Sequence, residues 1–378
     1  MSLLIPDLPE RVLQEAITIQ QIPAPTHAET ARSRYVFQRF VEEGLADVQM
    51  DSPGNVYGCL PGSGTGLPVV ISAHLDTVFP ADTDLTLRPE QDRLYGPGIG
   101  DNSVGVAGLF GIVWELRARH GDPGGPATRL PGDVWLVANV CEEGLGNLTG
   151  MRAVVERFGA EVAAYLVLEG MSLGQIYHRG LGVKRYRIRV QTAGGHSWVD
   201  YGQPSAVNEL AQLICELTRL PLPARPRTTL NVGVITGGTT VNTIAARAEM
   251  ELDLRSEDPQ VLQELASQVE TLIQRANRPD VKVTGEVIGD RPVGKISARH
   301  PLVQLAKTCL SELGIEANLG IGSTDTNIPL SMGYPAICLG LTHGGSAHTT
   351  GEYIFKPPLK TGLRLMVSVI ESVFAELS

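Results

Sequence analysis

Short apolar runs recur between longer segments of helical spacing in the first half of the chain. Val69-Val-Ile-Ser-Ala, Val134-Trp-Leu-Val-Ala and Ala163-Ala-Tyr-Leu-Val-Leu are almost continuously apolar. That pattern predicts strands buried on both faces of a mostly parallel sheet. Helical spacing from Pro9 to Leu45 is interrupted at Pro23-Ala-Pro-Thr, and further helices are predicted near 104–119, 148–158, 301–313 and 360–376. Asn55-Val-Tyr-Gly-Cys-Leu, followed by Pro61-Gly-Ser-Gly-Thr-Gly, predicts a hairpin into the Val69 strand. Another strand is expected at Pro335 to Leu339.

The pattern changes near Tyr177. From Lys184 to Thr192 basic and apolar residues alternate, as in a half-exposed antiparallel strand. A helix near 205–220, strands near 229–235 and 246–255, a helix near 259–276 and a strand near 281–287 complete a βαββαβ order, the ferredoxin-like signature. The expected fold is therefore α/β, with a mixed, mostly parallel sheet flanked by helices and an inserted ferredoxin-like domain. The expected boundaries are 1–178 and 292–378 for the catalytic domain and 179–291 for the insertion.

Composition narrows the function classes. A chain of 378 residues, 43% hydrophobic, can bury two separate cores. Its net charge of -10 offers no basic footprint for nucleic acid or an anionic membrane, and leaves acids available for cations. The start has no basic segment before a long apolar run, and no stretch is apolar enough to span a bilayer. The five cysteines are scattered and form no Cys-x-x-Cys pair, so a reducing cytoplasm is expected.

The predicted strands lead into His74 and Asp76, into Glu142 and Glu143, and into Glu169. Ligands collect at the carboxyl ends of strands in open α/β sheets. Asp101 lies on a glycine-rich loop before a helix, and His348 on a late loop. Gly96, Gly98 and Gly100 alternate without meeting the nucleotide-loop spacings. Imidazoles and carboxylates without thiolates suit zinc, cobalt or manganese in a hydrolytic site. One bridging carboxylate could hold two divalent ions, an acid and a histidine completing each side and one acid remaining as base. There is no Gly-x-Ser-x-Gly elbow for a serine hydrolase and no phosphate-cradling basic loop for a phosphoesterase.

Five segments, Ser72-Ala-His-Leu-Asp-Thr-Val, Gly98-Ile-Gly-Asp-Asn, Glu142-Glu-Gly, Gly194-Gly-His-Ser and Ala347-His-Thr, together resemble the M20 family of co-catalytic metallopeptidases. The resemblance implies a zinc-exopeptidase-like catalytic domain with an inserted lid or dimerisation domain. It implies that His74, Asp101 and Glu169 hold one metal and that Asp101, Glu143 and His348 hold the other, with Asp101 bridging. Asp76 would orient His74 through its other ring nitrogen, and Glu142 would be the general base and acid. His196 would steady the oxyanion, often in a partner's site, while Asn242, Arg255 and Thr324 match substrate-side positions. Glu169 is the acid found in desuccinylase- and carboxypeptidase-like members. The implied activity is hydrolysis of an amide bond in a small peptide or N-acyl amino acid, with two divalent ions per subunit, zinc first and cobalt or manganese as alternatives. A homodimer through the lid is also implied. The rival reading is a non-catalytic binding or assembly protein of the same fold.

Overall fold

The computed structural model describes residues 3–121 and 130–377. The chain forms two compact units, Met1–Gly180 with Gly294–Ser378, and Leu181–Val293.

In the first unit the strand order is Ala46–Met50, Val56–Leu60, Val134–Asn139, Val69–His74, Ala164–Glu169, Ala336–Gly340, Gln175–Gly180, Gly294–Lys295. Asn318–Gly322 pairs in parallel with Gln175–Gly180. Val134–Asn139, Val69–His74, Ala164–Glu169 and Ala336–Gly340 run parallel to one another. Every residue of Val69–His74 is buried, as its unbroken apolar run requires. The helix Val104–His120 packs on this region and is buried without interruption from Val104 to Leu116. A Cβ at Gly111 would lie 2.5 Å from Val12 Cγ2, so glycine there lets the helix Leu8–Gln20 approach closely.

The expected hairpin does not form. Val134–Asn139 lies between Val56–Leu60 and Val69–His74, pairing antiparallel with the former and parallel with the latter. The Pro61–Gly66 turn instead fastens to the segment before that strand, with Gly62 N–H donating to Asp133 Oδ1 at 2.9 Å and Ser63 N–H to Leu130 O at 3.0 Å. Local turn signals reported that the chain reverses, but not that a third strand fills the space. The strands Gln175–Gly180 and Asn318–Gly322 were not anticipated either; both are half-buried and close the far side of the sheet.

The second unit is a four-stranded antiparallel sheet ordered Thr228–Gly237, Arg247–Ser256, Gly182–Gln191, Lys282–Arg291, with helices Ala206–Leu217 and Pro259–Ala276. This is the expected βαββαβ arrangement. Tyr186, Ile188, Val190, Met250, Leu252 and Leu254 form its core with Leu210, Leu213, Leu265 and Val269 from the helices. The alternate positions explain the basic pattern: Arg185, Arg187 and Arg189 face Asp253, Glu251 and Glu249 across the register, at 2.9, 2.8 and 2.6 Å. Asp258 caps the second helix by accepting the N–H groups of Gln260 and Val261, worth about 1 kcal/mol in such positions.

Candidate metal centre

Equal strand lengths set the level of the site. His74 ends its strand opposite Asn139, and Val69 pairs with both Val134 and Ala164, which brings Glu169 to the same edge. Beyond Asn139 the chain turns through Cys141, whose φ of +61° lies in the left-handed region, and delivers Glu142 and Glu143. Both peptide N–H groups donate to the Asp76 carboxylate, at 2.9 and 2.8 Å, and Thr26 Oγ1 donates to it at 2.9 Å. Asp76 is fully buried. Burial alone would push its carboxyl up; the nearby His74 ring and these N–H groups outweigh it and hold the carboxyl below its usual range.

Asp76 meets both the other ring nitrogen of His74 and the backbone of Glu142 and Glu143. The His74 Nδ1 partner is the Asp76 backbone carbonyl at 3.0 Å, whereas the carboxylate lies 3.6 Å away, beyond hydrogen-bond reach. Asp76 therefore positions the Glu142-Glu143 backbone. Replacing it with asparagine leaves one acceptor and sets an amide N–H₂ against a peptide N–H. Asp76→Asn is expected to lower metal affinity about 10–100-fold, read by calorimetric titration.

With Nδ1 engaged, His74 Nε2 faces Asp101 Oδ1 at 3.1 Å and Glu169 Oε2 at 3.7 Å. His348 Nε2 faces Asp101 Oδ2 at 3.0 Å and Glu143 Oε1 at 3.2 Å. Asp101 thus turns one oxygen to each imidazole. Ligand atoms of His74, Asp101 and Glu169 lie within 4.8 Å of one another, as do those of Asp101, Glu143 and His348, and those of His74, Glu142 and Glu143. Two imidazoles among carboxylates, with the Cys141 thiol turned toward His27 and Glu29, make an N and O donor set that fits divalent cations.

The electrostatics agree. Burial pushes the His74 ring down, but Asp101, Asp76 and Glu169 raise it well above its usual value. Burial also pushes Asp101 up, and the two histidines overcome that and hold it well below the carboxylate range. Glu169 is raised, by burial and by Asp101 and Glu143. Asp101 and Glu143 raise His348 from 6.5 to about 10. At neutral pH the ring of the metal-free chain holds a proton that a cation must displace. Metal affinity is accordingly expected to rise from pH 6 to 9 with proton release, measured by titrations in buffers of different ionisation heat. The same raised value means that the ring's contribution to metal-free stability is complete below about 6.5 and is lost as pH rises toward 10.

Further residues surround this set, of which Arg32 and Glu352 were missed in the sequence. Arg32, 2% exposed, donates to the carbonyls of Ile22 and Leu75, placing a cation behind Asp76. Glu352 accepts three N–H groups from the Asp101 loop. Burial and Asp101 push its carboxyl up to about 7. Asp325 is buried and accepts from Asn139 at 2.7 Å. Thr324, next to it, hydrogen-bonds Thr326 at 2.6 Å.

In the second unit His196 pairs with Thr243 in a separate two-stranded ladder, Gly195–His196 with Thr243–Ile244, and Ser197 N–H donates to Asn242 O, so His196 and Asn242 lie side by side. His196 Nδ1 accepts the N–H groups of Trp198 and Val199, which in the neutral ring leaves the proton on Nε2 as an outward donor. Arg255 is elsewhere. Eight residue steps, roughly 26 Å, separate it from Arg247 at the Asn242 end, and its fork is held by Asp253 at 2.7 and 3.4 Å. Arg247, overlooked in the sequence, lines a space of about 290 Å³ with Gly194, Gly195, Thr239 and Thr243.

A mostly parallel sheet whose strand ends gather imidazoles and carboxylates, joined to a ferredoxin-like insertion, defines a metal-dependent hydrolase. The chain belongs to peptidase family M20/M25/M40, whose sequence profile matches residues 70–372. Succinyl-diaminopimelate desuccinylase of Corynebacterium glutamicum is 23% identical over 339 residues, 88% of each chain. A tripeptidase from Staphylococcus aureus superposes with a TM-score of 0.79 at 21% identity, over 97% of this chain and 99% of that one. YxeP of Bacillus subtilis, described as a dinuclear metal binding peptidase of the M20 family, superposes at 0.66 with 16% identity, over 97% and 99%. At these identities the superpositions speak for the fold.

Proposed function

We propose that the protein hydrolyses an amide bond in a small peptide or N-acylated amino acid, using two divalent ions, zinc first and cobalt or manganese as alternatives. The observation that carries this is the division of the Asp101 carboxylate between His74 and His348, which gives two ligand groups sharing one member. Glu169 completes the first group and Glu143 the second. Glu142 also lies near His74 and Glu143, but Glu143 is the one that reaches His348, which leaves Glu142 as the base.

When bound, the ions supply Lewis acidity and make water a nucleophile near neutral pH. The Glu142 carboxylate, 6% exposed and fixed through its N–H to Asp76, takes the proton of the attacking water and returns it to the leaving amine. The His196 Nε2–H would stabilise the developing oxyanion. The protein is read as a homodimer through the insertion, in which His196 serves the partner's centre; the mass in solution tests it.

Amide rather than phosphate chemistry is supported by the desuccinylase and tripeptidase among the relatives. The scattered spacing of the five cysteines, with no Cys-x-x-Cys pair, supports a reducing, cytoplasmic setting. Among the described residues no helix is long and apolar enough to cross a membrane. The test is a screen of di- and tripeptides against N-acetyl and N-succinyl amino acids, with each metal added separately to chelated protein. Cleavage restored by metal supports the reading; cleavage that is unchanged after complete metal removal rejects it.

A further inference from the structure

Glu352 closes the turn that contains His348. In that turn Thr349 N–H donates to Ser346 O at 3.2 Å and Glu352 N–H to Thr349 O at 3.1 Å. The Glu352 side chain then leaves the turn and is fully buried. Its Oε1 accepts the N–H groups of Gly100 at 2.7 Å and Asp101 at 2.8 Å, and its Oε2 accepts that of Gly98 at 3.1 Å. The backbone joins in, with Gly96 N–H donating to Glu352 O at 2.9 Å. Converging peptide N–H groups are how a backbone cradles an anion, and a buried carboxylate requires such donors.

Two glycines of this loop sit where a side chain would be strained or crowded. Gly98 has φ +71°, and a Cβ on Gly100 would lie 2.8 Å from Met171 Sδ. The pairing of Tyr353–Phe355 with Arg93–Tyr95 and the Gly96 bond bring the two segments together, and the Glu352 side chain is what reaches from the His348 turn into the Asp101 loop itself, although the two are far apart in sequence.

We propose that Glu352 is a positioning residue: it locks the Asp101 loop to the His348 turn, so that the two halves of the metal site assemble as one coupled unit. This rests on the two-ion reading above. It holds the Asp101 peptide N–H while the Asp101 oxygens face the two imidazoles, and its effect falls on how the His348 turn is placed against Asp101. Without it the His74 side keeps its strand-end ligands, but the His348 side, on an exposed loop, loses its registration with Asp101.

Glu352→Gln preserves size and sets an amide N–H₂ against at least one of the three peptide N–H groups. The test is titration of Co²⁺ into metal-free wild type and variant, read by calorimetry and by the visible absorption of the bound ion. Wild type is expected to take two ions. Glu352→Gln is expected to bind the first within about threefold of wild type and the second about 10–100-fold more weakly, with altered absorption at the second equivalent. Glu352→Asp, which keeps the charge but is one methylene shorter, is expected to fall between them, and it carries the comparison if the glutamine variant does not fold. Unchanged affinities, or equal weakening of both ions, would overturn the role of Glu352 while leaving the two-ion reading intact. Failure of the wild type to take two ions would overturn that reading, and this inference with it.

Discussion

Glu142→Gln lowers kcat on an amide substrate by about 10²–10⁴-fold, roughly 3–5 kcal/mol of barrier, with two ions still bound per chain. Glu142 is 6% exposed, and its peptide N–H is anchored on Asp76, so an isosteric amide keeps the backbone in place while it can no longer accept a proton. The neighbouring Glu143→Gln should behave differently: Glu143 faces His348 at 3.2 Å, so its loss weakens ion binding as well as turnover. Metal analysis of both purified variants beside their kinetics separates the two roles. A Glu142→Gln enzyme with near wild-type kcat would remove the proposed base from the account.

The second large effect is expected at Asp101. In the two-ion arrangement proposed above, His74, Glu169, Glu143 and His348 would each serve one ion, whereas Asp101 turns an oxygen to each imidazole and would serve both. Asp101→Ala removes the oxygen facing His74 and the oxygen facing His348 at once. The expected loss of metal affinity exceeds the about 10–100-fold cost of losing a supporting group, and activity falls below detection at ordinary metal concentrations. Glu169→Gln removes a ligand of the first group only, and should leave partial occupancy. If the two substitutions prove equivalent, with one ion retained in each, Asp101 is not shared.

Much of this site was legible because its determinants are local. Unbroken apolar runs define buried parallel strands, and His74 and Glu169 close two of them in equal register. The insertion was legible for the same reason: alternating arginines mark an exposed face, and two amphipathic helices cover the other. What escaped depends on pairing across long sequence separations. The third strand that fills the expected hairpin is one case. Glu352 is another, since its partners are peptide N–H groups, which carry no side-chain signature. Asp76 was placed at the site, yet its carboxylate serves the Glu142 and Glu143 backbone, a contact set by the turn at Cys141.

The separation of Arg255 from Asn242 has the same origin. Thirteen positions apart in sequence, they look like neighbours in one lid, but a straight strand carries Arg255 to the other end of the sheet. That geometry makes Arg247 the arginine beside the Gly194-Gly195 and Thr239-Thr243 space.

Anomalous diffraction from crystals grown with zinc tests the shared-carboxylate centre most directly. The account predicts two peaks roughly 3.5–4 Å apart on either side of the Asp101 carboxylate, one beside His74 and Glu169 and one beside His348 and Glu143. A single peak, or metal bound away from Asp101 while the crystals' protein remains active, would contradict it.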